Sequence, residues 1–271
     1  MNEIGIIQGR LLPKDAKQLQ LFPSETWERE FEVSKSCGFS AIELLFGLDD
    51  YRNNPLMDKK GRNKIAGLSE SLLLPISSIC AHFFQVYGFF RDCPQIESGN
   101  ISILKKLIES CGQVRCKNIL IPFLEETVIE SEQDKKDVFK FVDSVYKLLE
   151  QYGITLCFET ALPGAEMLEL VEKIDRPNIR IYYDIGNSAY FRYDPAEEIR
   201  NLSKWICGVH IKDRNESGNN VILGTGLVDF AACFEALKEI KYEGSYILET
   251  AMGSDPIETA KKHLEFVKSF I

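Results

Sequence analysis

Eight short apolar runs alternate with eight amphipathic segments of helical period along the whole chain, and few folds accommodate that pattern. The runs, expected as strands, are Ile4–Ile7, Ala41–Leu45, Ile76–Ala81, Asn118–Ile121, Thr155–Glu159, Arg180–Asp184, Ile206–Ile211 and Ser245–Glu249. The segments, expected as helices, are Trp27–Cys37, Arg62–Leu73, Glu97–Cys111, Gln133–Tyr152, Gly164–Ile174, Pro195–Asn201, Phe230–Ile240 and Ile257–Phe270. Dividing 271 residues by eight leaves about 34 per unit, close to the ~30 that a strand, a helix and two short loops need. The pattern predicts an α/β fold, a closed (β/α)8 or TIM barrel, as a single domain over residues 1–271. An open doubly wound sheet is the competitor, but Gly5-Ile6-Ile7-Gln8-Gly9 lacks the G-x-G-x-x-G spacing of a dinucleotide turn. The longest polar loops are expected at Leu48–Asn63 and Lys212–Asn220.

Composition narrows the partners. Lys plus Arg is 32 against 41 Asp plus Glu, a net charge of −9, so the surface field repels nucleic acid. No apolar stretch approaches the ~20 residues that span a bilayer, and Met1-Asn2-Glu3-Ile4-Gly5 has no basic region leading into an apolar one. A cytoplasmic protein without membrane contact is expected. Cys37, Cys80, Cys93, Cys111, Cys116, Cys157, Cys207 and Cys233 form no Cys-x-x-Cys pair and sit mostly in apolar runs. They read as small buried hydrophobes in a reducing compartment, not as a disulfide frame or a zinc cluster.

In a barrel of this kind the reactive groups belong at the C-terminal ends of the strands. Those ends carry Gln8 and Arg10, then Glu43, His82, Glu159, Asp184, His210 and Glu249. A charged residue at one strand end is often only a solvated exit. Strands five to eight, however, end in succession in a carboxylate, a carboxylate, an imidazole and a carboxylate. Three clustered carboxylates raise one another's pKa unless a cation neutralises them. A mixed set of Glu159, Asp184, His210 and Glu249 suits one divalent metal ion, Mn²⁺ or Mg²⁺ first, with Zn²⁺, Co²⁺ or Fe²⁺ tolerated.

The stretches Phe158-Glu159-Thr160, Tyr183-Asp184-Ile185-Gly186-Asn187, Val209-His210-Ile211-Lys212-Asp213, Leu223-Gly224-Thr225-Gly226-Leu227-Val228-Asp229-Phe230 and Ile247-Leu248-Glu249-Thr250 resemble the sugar phosphate isomerase/epimerase superfamily with the xylose-isomerase-like TIM barrel. The nearest likeness is to L-ribulose-5-phosphate 3-epimerases and, more distantly, D-tagatose 3-epimerases. It is strongest over residues 154–250. The resemblance implies a metal-dependent epimerase or isomerase acting on a ketose or ketose phosphate through a metal-bound cis-enediolate. It further implies that Glu159, Asp184, His210 and Glu249 ligate the metal while Glu159 and Glu249 act as the acid/base pair.

Tagatose-type enzymes carry a His three residues after the metal-binding Asp, where this chain has Asn187; the pentulose-phosphate pattern Asp-x-Gly-Asn matches instead. Lys212 and Arg214 are candidates for substrate oxygens or a phosphate, against the alternative of a solvated charge run with Asp213. His82 either caps a strand or meets a substrate hydroxyl. Glu43 either holds His82 or a ligand at the mouth or is a buried acid partnered by Arg10, itself a candidate for substrate binding. Gly224 and Gly226 suggest a tight turn, with Asp229 near the start of the next helix. An inosose-type dehydratase and a non-catalytic sugar-binding barrel are the competing functions, and a homo-oligomer is compatible with all of them. Endonuclease-IV-like phosphodiester cleavage needs more His ligands than three histidines supply.

Overall fold

Each apolar run folds as a strand that pairs in parallel with the next: β1 Ile4–Ile7, β2 Ala41–Leu45, β3 Ile76–Cys80, β4 Asn118–Phe123, β5 Thr155–Thr160, β6 Ile179–Asp184, β7 Ile206–Ile211 and β8 Ser245–Leu248. The computed structural model describes residues 2–12, 20–48, 51–90, 93 and 99–271. β8 returns to β1, with Gly5 opposite Ile247, and the sheet closes in the order β1 to β8. The TIM barrel read from the alternation is the fold. Glu249 lies one residue past β8, yet its N–H donates to Ile211 O at 3.1 Å, so it still belongs to the barrel rim.

Helices among the described residues are α1 Trp27–Cys37, α2 Lys59–Ser71, α3 Asn100–Val114, α4 Glu132–Tyr152, α5 Gly164–Ile174, α6 Ile185–Tyr190, α7 Pro195–Leu202, α8 Phe230–Glu239 and α9 Pro256–Lys268. Most of their starts follow side-chain caps, those of α1, α3 and α5 excepted. Asp58 accepts from Gly61 N and begins α2 three residues ahead of the expected Arg62, and Ser131 with Asp134 forms a capping box at α4. The expected start of the third helix, Glu97, lies outside the described residues. Short α6 was not anticipated: Asp184 caps it by accepting from Asn187 N.

The core has two shells. One lies between strands and helices, and the other fills the barrel interior with Ile7, Leu45, Cys80, Leu120, Cys157, Tyr182 and Ile247. Two ladder irregularities interrupt that interior. Ile42 pairs with Ile76 and Glu43 with Ser78, leaving Ser77 as an extra residue on β3. Likewise Ile181 pairs with Ile206 and Tyr182 with Gly208, leaving Cys207 extra on β7. In the barrel interior Cys207 of the second bulge faces Cys157 of β5, with Cα atoms 6.8 Å apart. Sequence spacing gives no sign of that approach; Cys37, Cys80, Cys93, Cys111, Cys116 and Cys233 are free and buried. Among the described residues no helix is long and apolar enough to cross a membrane.

Candidate metal centre and active site

Strand parity sends Glu159 from β5, Asp184 from β6 and His210 from β7 into the barrel mouth, and Glu249 joins them from the rim. All four are buried, and one ligand atom from each lies within 4.8 Å of the others. His210 Nδ1 is 2.9 Å from Glu249 Oε2 and 3.9 Å from Asp184 Oδ2. Lys212 Nζ stands between Asp184 Oδ2 and Glu249 Oε1, 3.2 Å from each.

Charge is crowded here. Burial, with Asp184 beside it, pushes the Glu159 carboxyl up to about 8. Burial works against ionised Glu249 as well, but Lys212 and His210 outweigh it and hold that carboxyl well below the usual range. Burial also opposes the Lys212 ammonium, and Asp184 and Glu249 raise its pKa in spite of it.

This donor set fits a divalent cation on an observation independent of sequence. His210 Nε2 is 2.8 Å from Glu43 Oε1, while the buried Nδ1, for all its closeness to Glu249, has no hydrogen bond of sound geometry. A ring nitrogen so placed among three carboxylates suits a metal ligand.

Above the set opens a cavity of about 430 Å³. Glu159, Glu249, His82, Gln85, Asn187, Lys212 and Arg214 line its polar side, and Pro122, Leu124, Val128, Tyr190 and Phe191 its apolar side. Asn187 Nδ2 donates to Glu159 Oε1 at 2.9 Å, and Arg214 Nη1 donates to Asn187 Oδ1 at 2.9 Å while its guanidinium lies 4.1 Å from the Tyr190 ring centre. His82 Nδ1 is 3.0 Å from Gln85 Oε1.

Two candidates sit away from the cavity wall. Glu43 lies beneath His210 and pairs with it rather than with His82 or Arg10. Arg10 is buried behind Glu249, its Nη2 3.6 Å from Glu249 Oε1 and its Nε donating to Thr250 O at 3.1 Å. Asp213 is buried, not part of a solvated run. It accepts from Gly224 N at 3.0 Å, Gly226 N at 2.8 Å and Val228 N at 3.2 Å, closing the turn that leads to Asp229, the cap of α8. Any side chain at Gly226 would strike Asp213.

Sequence reasoning missed Gln20, whose amide donates to Glu249 Oε1, and the Ser78 and Tyr182 hydroxyls on Glu43. Gln20 carried no signal in its polar surroundings. Ser78 and Tyr182 are inward-facing polar groups in otherwise apolar strands, and that parity was the available clue.

Fold and site together define a (β/α)8 barrel whose mouth carries a Glu, Asp, His and Glu set that could hold a metal ion. The chain belongs to the xylose isomerase-like TIM barrel family, whose model matches residues 31–270. Among curated relatives it is 23% identical over 272 residues to L-ribulose-5-phosphate 3-epimerase UlaE of Escherichia coli (strain K12 / DH10B), covering 95% of this chain and 94% of that one. Among solved structures it is similar to D-psicose 3-epimerase crystallised in the presence of D-fructose, with TM-score 0.79, 14% identity and 99% of both chains covered. It also resembles the IOLI protein with a bound zinc atom, with TM-score 0.76, 20% identity and 99% of both chains covered.

Proposed function

We propose that the chain is a divalent-metal-dependent epimerase or isomerase of a ketose or ketose phosphate. The observation that carries this is the convergence of Glu159, Asp184, His210 and Glu249 within 4.8 Å of one another, with Glu159 and Glu249 lining a sugar-sized cavity. These four would hold one ion, Mn²⁺ or Mg²⁺ by donor chemistry, with Zn²⁺, Co²⁺ or Fe²⁺ compatible. When bound, it would polarise the ketone and the neighbouring hydroxyl oxygen and so acidify the C–H between them.

The rest is the work of this chain's side chains. One glutamate, Glu159 or Glu249, takes the carbon-bound proton from one face of the sugar, giving a cis-enediolate. The other returns a proton to the opposite face and inverts the centre. Asn187 holds Glu159 by its amide, and Lys212 steadies Glu249 and Asp184. His82, Asn187, Lys212 and Arg214 contact substrate oxygens from the polar wall, while Arg10 and Glu43 support the floor from behind. Tyr190, Phe191, Leu124 and Val128 keep water from the reacting carbon.

The test combines metal analysis of the purified protein with deuterium uptake from solvent into a panel that includes L-ribulose 5-phosphate and D-allulose. Exchange at a carbon beside the ketone, abolished by chelator, supports the proposal. A metal-replete protein that exchanges no ketose proton, or one that expels water instead, overturns it.

A further inference from the structure

Directly beneath His210 the barrel interior holds a buried polar cluster that lies behind the cavity wall. Glu43 is 0% exposed. Its Oε1 faces His210 Nε2 at 2.8 Å, and its Oε2 accepts from the Tyr182 hydroxyl at 2.9 Å and from Ser78 Oγ. The two hydroxyls are themselves 3.2 Å apart. A carboxylate in a dry barrel is costly unless such partners meet it.

The backbone is bent to supply them. The extra residue Ser77 on β3 brings Ser78 opposite Glu43, and the extra residue Cys207 on β7 brings Gly208 opposite Tyr182. Bulges re-aim side chains and are uncommon in parallel ladders. Gly208 completes the arrangement, because any side chain there would strike the Tyr182 ring that crosses the barrel to reach Glu43. Two bulges and one glycine thus converge on a single carboxylate.

We infer that Glu43, braced by Ser78 and Tyr182, is the positioning residue of the metal centre: it takes the Nε2–H of His210 and so presents Nδ1 as a lone pair to the ion. The inference rests on the proposal that Glu159, Asp184, His210 and Glu249 are the metal ligands. A neutral imidazole carries one N–H, so fixing the proton on Nε2 leaves Nδ1 free to ligate, and the anionic acceptor makes that nitrogen a stronger donor. Glu43 touches neither ion nor sugar and acts through His210 alone.

The test begins with wild-type protein carrying ¹⁵N-histidine and loaded with diamagnetic Zn²⁺. The chain has three histidines, so long-range ¹H–¹⁵N spectra assign each ring once His82→Gln and His263→Gln variants are compared. The His210 ring is expected to carry its proton on Nε2 only. Glu43→Gln should raise the Mn²⁺ dissociation constant roughly 10–100-fold, and Tyr182→Phe should raise it less. In a His210→Gln background Glu43→Gln should change the constant by less than about twofold, since the route of its action is gone.

A proton on Nδ1 in the Zn²⁺ form overturns the inference without any variant. So does a Glu43→Gln protein that binds Mn²⁺ as wild type does, or one that loses as much affinity without His210 as with it. Should Glu43→Gln fail to fold, Tyr182→Phe and the wild-type spectrum still decide. A wild-type protein that takes up neither ion overturns the metal-centre proposal itself and this inference with it.

Discussion

Glu159 and Glu249 carry two duties in the proposed reaction, so their amide variants separate proton transfer from ion binding only if metal content is measured first. Glu159→Gln and Glu249→Gln are each expected to cut turnover by about 10²–10⁴-fold while leaving the barrel folded. Variants that hold metal and epimerise at the wild-type rate would place the bases elsewhere. Lys212 gives an independent handle, since its ammonium bridges Asp184 and Glu249 at 3.2 Å each. Lys212→Met breaks both buried pairs and should cost the chelated protein about 3–5 kcal/mol in urea unfolding. With saturating Mn²⁺ the cost should shrink, because the ion neutralises the same carboxylates; an equal loss in both states would sink this account. The four acidic and imidazole positions were legible because each ends an apolar strand, where a charged residue is conspicuous. The insertion of Lys212 among them was not, for a lysine two residues beyond a strand can as readily face water. Glu43 was singled out from the sequence, but strand parity fixes which way a side chain points and not which neighbour it meets.

Helix α9 covers the barrel through a histidine whose chemistry is unlike that of the mouth. His263 is 1% exposed, neither ring nitrogen has a hydrogen-bond partner among the described residues, and burial pushes its pKa down from 6.5 to about 4. The folded state therefore binds its proton less readily than the unfolded chain. Its effect on stability is nil above about pH 6.5 and becomes unfavourable as pH falls toward 4. The loss should be on the order of 2 kcal/mol, and His263→Leu should remove that part of the acid sensitivity while other carboxylates still titrate. Urea midpoints of both proteins at neutral pH and near about pH 5 check this; identical slopes would refute it. The eight strands and most helices were legible because their periodicity persists over whole segments. Boundaries shifted where a cap intervened, as at Asp58 before α2. Helix α6 escaped notice because its six residues are too few to show a helical period, and it is started by Asp184 itself. The two bulges left no trace in the sequence, since one added residue in an apolar run looks like a longer strand.

Closing eight parallel strands concentrates on one rim what would otherwise be scattered charge, and the chain's net −9 gives that rim no general relief. Among the described residues, Lys212 is the cation set between two carboxylates of the four-residue set, and Arg10 stands behind one of them. The protein should therefore fold without metal yet gain stability from it, because the four donors come together only in the closed barrel. An ion that binds the native state alone stabilises it by about 2.7 kcal/mol at a hundred times its dissociation constant. For a chain of this size each kcal/mol moves the melting midpoint by roughly 2–4 °C, so chelation should lower Tm by about 5–10 °C. Adding Mn²⁺ back should restore it in a concentration-dependent way. His210→Ala should lose most of that response, because it removes the proposed nitrogen ligand and leaves the three carboxylates without it. The measurement is a thermal melt of wild-type and variant proteins in chelator and across a Mn²⁺ titration. A wild-type Tm indifferent to metal at concentrations that saturate binding by direct titration would mean that the ion does not bridge β5, β6, β7 and the rim after β8, and the proposed site would have to be abandoned.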